Sequence, residues 1–293
     1  MKKSVLRLSL PLLLITACDK VKDPIEKRET VVGTNFITRT NKTTSNSYKV
    51  LLEDYTGHTC GYCPRAAIQA DSLAKALEAQ LVVIAVHAGG YALPDSTNGY
   101  PTNYQTSAGT AWNAKGSGFG ISAIGNPNGM INRKPYGGSV VQAYTRWKST
   151  IKTVLDSSAQ LFVVKLDVTT NYDPTVRALN TGVKAYFQAA YKNNVKLSAV
   201  IIENGLVGDQ KDYSKLPDHV EDYEFEHLLR GSLKGDWGDD LKSGPASKGD
   251  SASVEFNNFP LNAKFNDNNI WVVVFAYDAI TRAVIQAEKV KIR

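Results

Sequence analysis

Sulfur is scarce in this chain. Its 293 residues include three cysteines, Cys18, Cys60 and Cys63, and two methionines. Three cysteines allow at most one disulfide within a chain, so the fold must rest on burial of apolar surface. Long apolar runs are also lacking. No stretch of about eighteen apolar residues occurs, which excludes a membrane-spanning helix. Charge of one sign is not in large excess. The formal net charge is +6, and Lys2, Lys3 and Arg7 supply three of those charges. The remainder is a weak bias without a basic stripe interleaved with aromatics, so nucleic acid is not an expected partner. No repeat of fixed period is visible. What is present is globular composition, 43% hydrophobic, and length enough for one large domain or two ordinary ones.

The N-terminus reads as a targeting segment. Lys2, Lys3 and Arg7 precede a short apolar run over 8–15, broken by Ser9 and Pro11. The run ends in Leu14-Ile15-Thr16-Ala17-Cys18, which resembles a bacterial lipobox. That resemblance implies cleavage before Cys18 and lipid on its sulfur. An ordinary secretory signal with a chance cysteine is the plainer alternative. Residues 19–47 are polar, lack a sustained apolar period, and read as a flexible tether.

The first folded stretch has the order strand, turn, helix, strand. Residues 48–55 (YKVLLEDY) read as a buried strand and 81–87 (LVVIAVH) as another. Between them Pro64 suits a first helical turn, and Ala66, Ala70, Leu73 and Leu77 follow at helical spacing. Cys60-Gly61-Tyr62-Cys63 sits at that helix start. Unpaired N–H groups and the helix dipole favour a thiolate there. A bridge across so short a loop restrains the unfolded chain little, so the pair suits redox cycling or metal better than stapling. In the redox reading Cys60 is the exposed nucleophile and Cys63 resolves the mixed disulfide. Asp54, six residues earlier in a buried strand, is placed to take a proton, or is simply a strand-end acid facing water. His58 supports the thiolate when protonated, or is an exposed turn residue. A Cys2His2 metal set of Cys60, Cys63, His58 and His87 matches no zinc spacing. No metal and no other cofactor is expected. His219 and His227, among several acids, read as a solvated loop face.

Further along, 88–123 reads as an insertion carrying one helix near 104–114. Val140, Tyr144, Trp147, Ile151 and Val154 mark an amphipathic helix. From Gln160 the period changes to two. Phe162, Val164, Leu166 and Val168 alternate with polar or outward positions, and 270–277 (IWVVVFAY) is the strongest strand pattern in the chain. Residues 203–250 read as a polar, acid-rich interruption.

Two resemblances follow from these residues. Over 48–155 the chain resembles thioredoxin-like folds. Asp54, Cys60, Cys63 and Pro127 match that pattern's buried acid, nucleophile, resolving cysteine and cis-proline. Thr59 departs from the usual Trp, and Gly61-Tyr62 from Gly-Pro. By this resemblance Pro127, His58 and Tyr62 would shape the groove receiving a partner, although Pro127 in its Gly/Asn-rich loop also reads as an ordinary turn proline. The segment Leu51-Leu52-Glu53-Asp54-Tyr55-Thr56-Gly57-His58-Thr59-Cys60-Gly61-Tyr62-Cys63-Pro64-Arg65 is similar to the signature of the twenty-eight-kilodalton outer-membrane-protein family of Bacteroidetes-type bacteria. Residues 126–133 (NPNGMINR) and 226–230 (EHLLR) are similar to it too. That resemblance implies an outer-membrane lipoprotein, facing the periplasm or the surface, with a β-rich C-terminal domain.

The expected architecture is an α/β thioredoxin-like domain over 48–159. An antiparallel β-sandwich-like (Ig-like) domain over 160–293 follows it, with the polar insertion at about 203–250. The expected function is a membrane-anchored thiol–disulfide oxidoreductase acting on thiol- or disulfide-containing extracytoplasmic proteins. The competing expectations are a non-enzymatic surface lipoprotein that binds through this scaffold, and metal carriage by Cys60, Cys63 and His87.

Overall fold

In a computed structural model the chain is described over residues 37–42, 47–157 and 162–293, the first of these as backbone only. The signal segment, Cys18 and most of the expected tether lie outside those residues. The chain runs through β1 (Ile37–Lys42), β2 (Val50–Thr56), α1 (Cys63–Ala76) and β3 (Leu81–His87). Next come α2 (Ser107–Asn113), β4 (Asn128–Ile131), β5 (Gln142–Ala143) and α3 (Tyr144–Asp156). Strands then follow without further α-helix: β6 (Val164–Asp173), β7 (Ala178–Phe187), β8 (Val195–Glu203), β9 (Leu206–Lys211) and β10 (His219–Phe225). The last five are β11 (Leu228–Ser232), β12 (Asp239–Lys242), β13 (Ser251–Pro260), β14 (Ile270–Asp278) and β15 (Val284–Lys291).

Nine strands form one mixed sheet, ordered β15-β14-β8-β11-β3-β2-β4-β5, with β12 also paired to β8. β2 and β3 run parallel, as do β3 and β11, and the other pairs are antiparallel. Its continuous apolar strands are buried on both faces, as such runs require. In β14, Val272 and Val274 enter one core, while Val273 and Phe275 enter the opposite one. Leu51, Val82, Val200 and Val273 share a core on one face, under α2 with its buried Trp112. The other face is covered twice. Helices α1 and α3 lay Ala66, Ala70, Leu73, Trp147, Ile151 and Val154 against β2, β3 and β4. A four-stranded sheet, β1-β6-β7-β13, lays Leu166, Val168, Val183 and Phe187 against β8 and β14. The helical spacing predicted for α1 and α3 is the spacing that is buried.

The expected fold class does not hold. Among the described residues the architecture is mostly strand with three α-helices, one mixed sheet standing in place of a thioredoxin-like α/β domain followed by a separate sandwich. The reason lies in the stretch read as a polar interruption. Leu228 of β11 pairs with Ala85 of β3 on one side and Glu203 of β8 on the other. The Ala85 N–H donates to the His227 carbonyl at 2.8 Å. Two edges that would each need a cover are thereby joined into one sheet.

Two consecutive residues fasten this sheet near its middle. Asn132 and Arg133 follow β4, both with left-handed backbone, φ 51° and 52°. Asn132 Oδ1 accepts from Leu51 N at 2.8 Å, and its carbonyl accepts from Val284 N at 2.9 Å. Arg133 is fully buried and makes a two-pronged ion pair with Glu53, Nε to Oε2 at 2.8 Å and Nη2 to Oε1 at 2.7 Å. Its guanidinium lies 4.7 Å from the Trp112 ring and 4.8 Å from the Phe275 ring. Burial alone would lower its pKa, but Glu53 outweighs burial and holds it above the ordinary value.

Candidate functional site

The cysteines lie where sequence spacing put them. Cys63 is the first residue of α1, and Pro64 follows at a position where a missing N–H costs nothing. Cys60 precedes by one turn, and the Cys63 N–H donates to its carbonyl at 3.1 Å. The two form a disulfide with Cα atoms 5.4 Å apart. Contrary to the expectation of an exposed nucleophile, neither sulfur residue reaches solvent. Cys60 is 3% exposed and Cys63 1%.

What seals them comes from β9 and the residues after it. The Lys211 N–H donates to the His58 carbonyl at 2.8 Å, and the Tyr213 N–H to the Gly61 carbonyl at 2.9 Å. The Gln210 side chain donates to the Cys60 carbonyl at 3.2 Å. Segment 210–213 thus lies along 58–61 as an added strand would. Tyr213 packs so closely on Gly61 that a Cβ there would sit 2.6 Å from its ring. Glycine at 61 is a requirement of this approach. Tyr62, half exposed, meets Tyr213 edge-on at 5.0 Å between centroids. From the opposite side, the Thr59 N–H and hydroxyl both donate to the Tyr91 carbonyl.

Beneath the disulfide the groups are dry. Asp54, on β2, is 1% exposed and its Oδ1 has no hydrogen-bond partner. Burial pushes its pKa up to about 8. Asp54, Cys63, His87, Gln210, Tyr223 and Phe225 line a small, partly open pocket of about 20 Å³, room for roughly one water. His87, at the end of β3, is buried with both ring nitrogens unpartnered, and burial lowers its pKa to about 3. His58 is buried too, and burial holds it below the ordinary imidazole value. A neutral His58 lends no positive charge to a thiolate, and it is not the exposed turn residue considered above. The Asn126–Pro127 bond is cis. Pro127 is half-buried and precedes β4, whose Asn128 stands opposite Tyr55.

The histidines of the acid-rich stretch also depart from expectation. The His219 Nε2–H donates to Asp209 Oδ1 at 2.8 Å, and its ring lies tilted against Tyr100 with centroids 4.5 Å apart. His227 is 8% exposed, and burial lowers its pKa to about 4. Among the described residues no group of three His, Cys, Asp or Glu side chains is arranged to hold a metal.

The family model for outer membrane protein Omp28 matches residues 113–293, more than half of the chain. The chain belongs to the Omp28 family. This membership places it in the outer membrane, and among the described residues no helix is long and apolar enough to cross a bilayer. No curated protein matches this Omp28-family chain. HBP35 of Porphyromonas gingivalis is similar in structure, with a TM-score of 0.56 at 18% identity, covering 84% of this chain and 76% of that one. A protein of Agrobacterium tumefaciens aligns with a TM-score of 0.50 at 13% identity, covering 84% and 96%. At such identities both likenesses concern the fold alone. A domain of the outer membrane lipoprotein Omp28 from Porphyromonas gingivalis aligns at 18% identity over 44% of this chain and 87% of that one. Its TM-score is 0.29.

Sequence reasoning missed Gln210, Lys211 and Tyr213 in this Omp28-family site, and the Glu53–Arg133 pair behind it. The one local signal was Gly61, a glycine in a turn whose backbone is not left-handed and so does not itself require glycine.

Proposed function

We propose that this Omp28-family chain is a non-enzymatic binding lipoprotein of the outer membrane, anchored by lipid on Cys18, in which Cys60–Cys63 clamps a loop. The observation that carries this reading is the burial of both sulfurs beneath segment 210–213. Disulfide exchange needs a thiolate to approach one sulfur in line with the bond. Here both cysteines are buried, and segment 210–213 with the Tyr213 ring packs on the 58–61 backbone beside them. The disulfide holds the 58–61 carbonyls in the geometry that receives this strand. The lipobox-like segment 14–18 supports the anchor.

A second reading, thiol–disulfide exchange with extracytoplasmic proteins, is favoured by one specific feature. Asp54 is a buried acid with a pKa near 8 that shares a pocket with Cys63. In that reading Cys60 attacks, Cys63 resolves and Asp54 moves the proton, after segment 210–213 has lifted.

One assay separates the two. In insulin reduction by dithiothreitol the wild-type chain is expected to add nothing to the reductant-only rate. Its own disulfide should resist reduction in the folded state. Tyr213→Gly should speed that reduction roughly tenfold, which is about 1.4 kcal/mol of easier opening. Catalysed insulin reduction by the wild type, lost in Cys60→Ser, would overturn the non-enzymatic reading.

A further inference from the structure

The outward face of the four-stranded sheet carries a feature the fold does not need. In β7, Val183, Ala185 and Phe187 point into the core, so Asn180, Gly182 and Lys184 point outward. Across the sheet Gly182 stands between Thr169 of β6 and Glu255 of β13, and Lys184 between Asp167 and Ser253. Together with Asn180 these residues line an open hollow of about 480 Å³, inside the range of ligand sites. Gly182 makes the depression. Its backbone is not left-handed, and a Cβ placed on it would meet nothing within 4 Å. Neither strain nor crowding therefore calls for glycine. A mid-strand glycine weakens a strand relative to a residue with a side chain, and β-branched residues suit strands best. Glycine in a strand interior often marks a bulge or a place where another molecule comes close; β13 bulges nearby between Phe256 and Phe259, while the β6–β7 ladder runs unbroken through Gly182.

We propose that this hollow binds a neutral oligosaccharide. The inference rests on the binding reading above and gives it a surface and a ligand class. The lining decides the chemistry. Asp167 and Glu255 are set against Lys184 and against Lys165, which lies 3.5 Å from Asp167, so neither an anion nor a cation is favoured. Threonine and serine hydroxyls and asparagine amides both donate and accept, as sugar hydroxyls do. β6 and β7 are paired along both edges, so an extended peptide would join this sheet only at the outer strand β13 and not over Gly182 in its middle. The lining also includes Tyr186 and Val254, apolar surface broken up by the polar groups between them, and the Tyr186 ring offers a flat face to the C–H side of a sugar.

The test uses the full-length protein and isothermal titration with maltohexaose, cellohexaose, laminarihexaose and mannohexaose, with a heparin hexasaccharide as the anionic comparison. At least one neutral hexasaccharide is expected to bind. Gly182→Val and Asn180→Ala should each weaken it roughly tenfold or more. Gly182→Val should leave the melting temperature equal or higher, so binding and stability move in opposite senses. The proposal fails if no neutral sugar binds, if only heparin binds, or if either variant binds as well as wild type. It also fails if Gly182→Val does not fold, because glycine would then be required by the strand. Insulin reduction is unaffected by these variants, so failure here is distinct from failure of the non-enzymatic reading.

Discussion

Replacing Arg133 with methionine should destabilise the protein by about 3–5 kcal/mol, read from urea unfolding at pH 7. Arg133 and Glu53 are both fully buried, and each is the other's charge partner. Removing the guanidinium leaves a carboxylate with no counter-charge in a region walled by Trp112 and Phe275. Methionine keeps much of the stem's volume, so the loss is chiefly electrostatic. The double variant Glu53→Gln/Arg133→Met should recover a large part of the loss, because no lone buried charge remains. If the single variant costs less than about 1 kcal/mol, the pair is not the fastening described here. A double variant that loses the sum of the two singles would say the same.

Stability should peak near pH 6.5 and fall by about 2 kcal/mol by pH 8. Burial drops His87 to about 3 and His227 to about 4, both below the imidazole value of 6.5. Between those values the unfolded chain binds the protons and the folded chain does not, so stability rises with pH and is complete above about 6.5. Asp54 works the other way. Its folded value of about 8 lies above the ordinary 3.8. Between those values the unfolded chain has lost the proton that the folded chain keeps, so stability falls as pH rises. Glu226, also raised by burial, adds to the fall at the acid end. Below 6.5 these two histidines, with His58 also held low by burial, outweigh Asp54, and above it the Asp54 decline takes over. Asp54→Asn should abolish the alkaline decline and leave the acid limb in place. A wild-type profile flat from pH 6.5 to 8, or a decline that survives Asp54→Asn, would contradict the buried acid.

Much of the local structure is legible in residue order. Pro64 after a cysteine pair, followed by Ala66, Ala70 and Leu73, announces α1 because helix starts and helical faces are local properties. The apolar runs of β3 and β14 announce buried strands for the same reason. Val164, Leu166 and Val168 alternate as a half-buried strand must, and they are buried in that alternation. The disulfide is legible as well, since two cysteines three apart at a helix start lie within bonding distance in any fold.

The neighbours of those strands are not legible. Leu228 and Leu229 in an acid-rich stretch give no period, yet β11 joins β3 to β8. A hydrophobic pattern tells which face of a strand is buried and is silent on which strand lies beside it. The same limit hid the seal over the cysteines. Gln210 and Tyr213 are about 150 residues from Cys60 and hold it mainly through backbone carbonyls, which every residue has.

The sequence alone therefore determined the short-range facts: the helix start, the paired cysteines and the doubly buried strands. Each depends on contacts a few residues apart. Only the tertiary structure decided whether those cysteines face solvent, whether Asp54 and His87 are dry, and whether one sheet or two modules is built. Accessibility and desolvation depend on everything that packs around a group, and most of it arrives from distant chain.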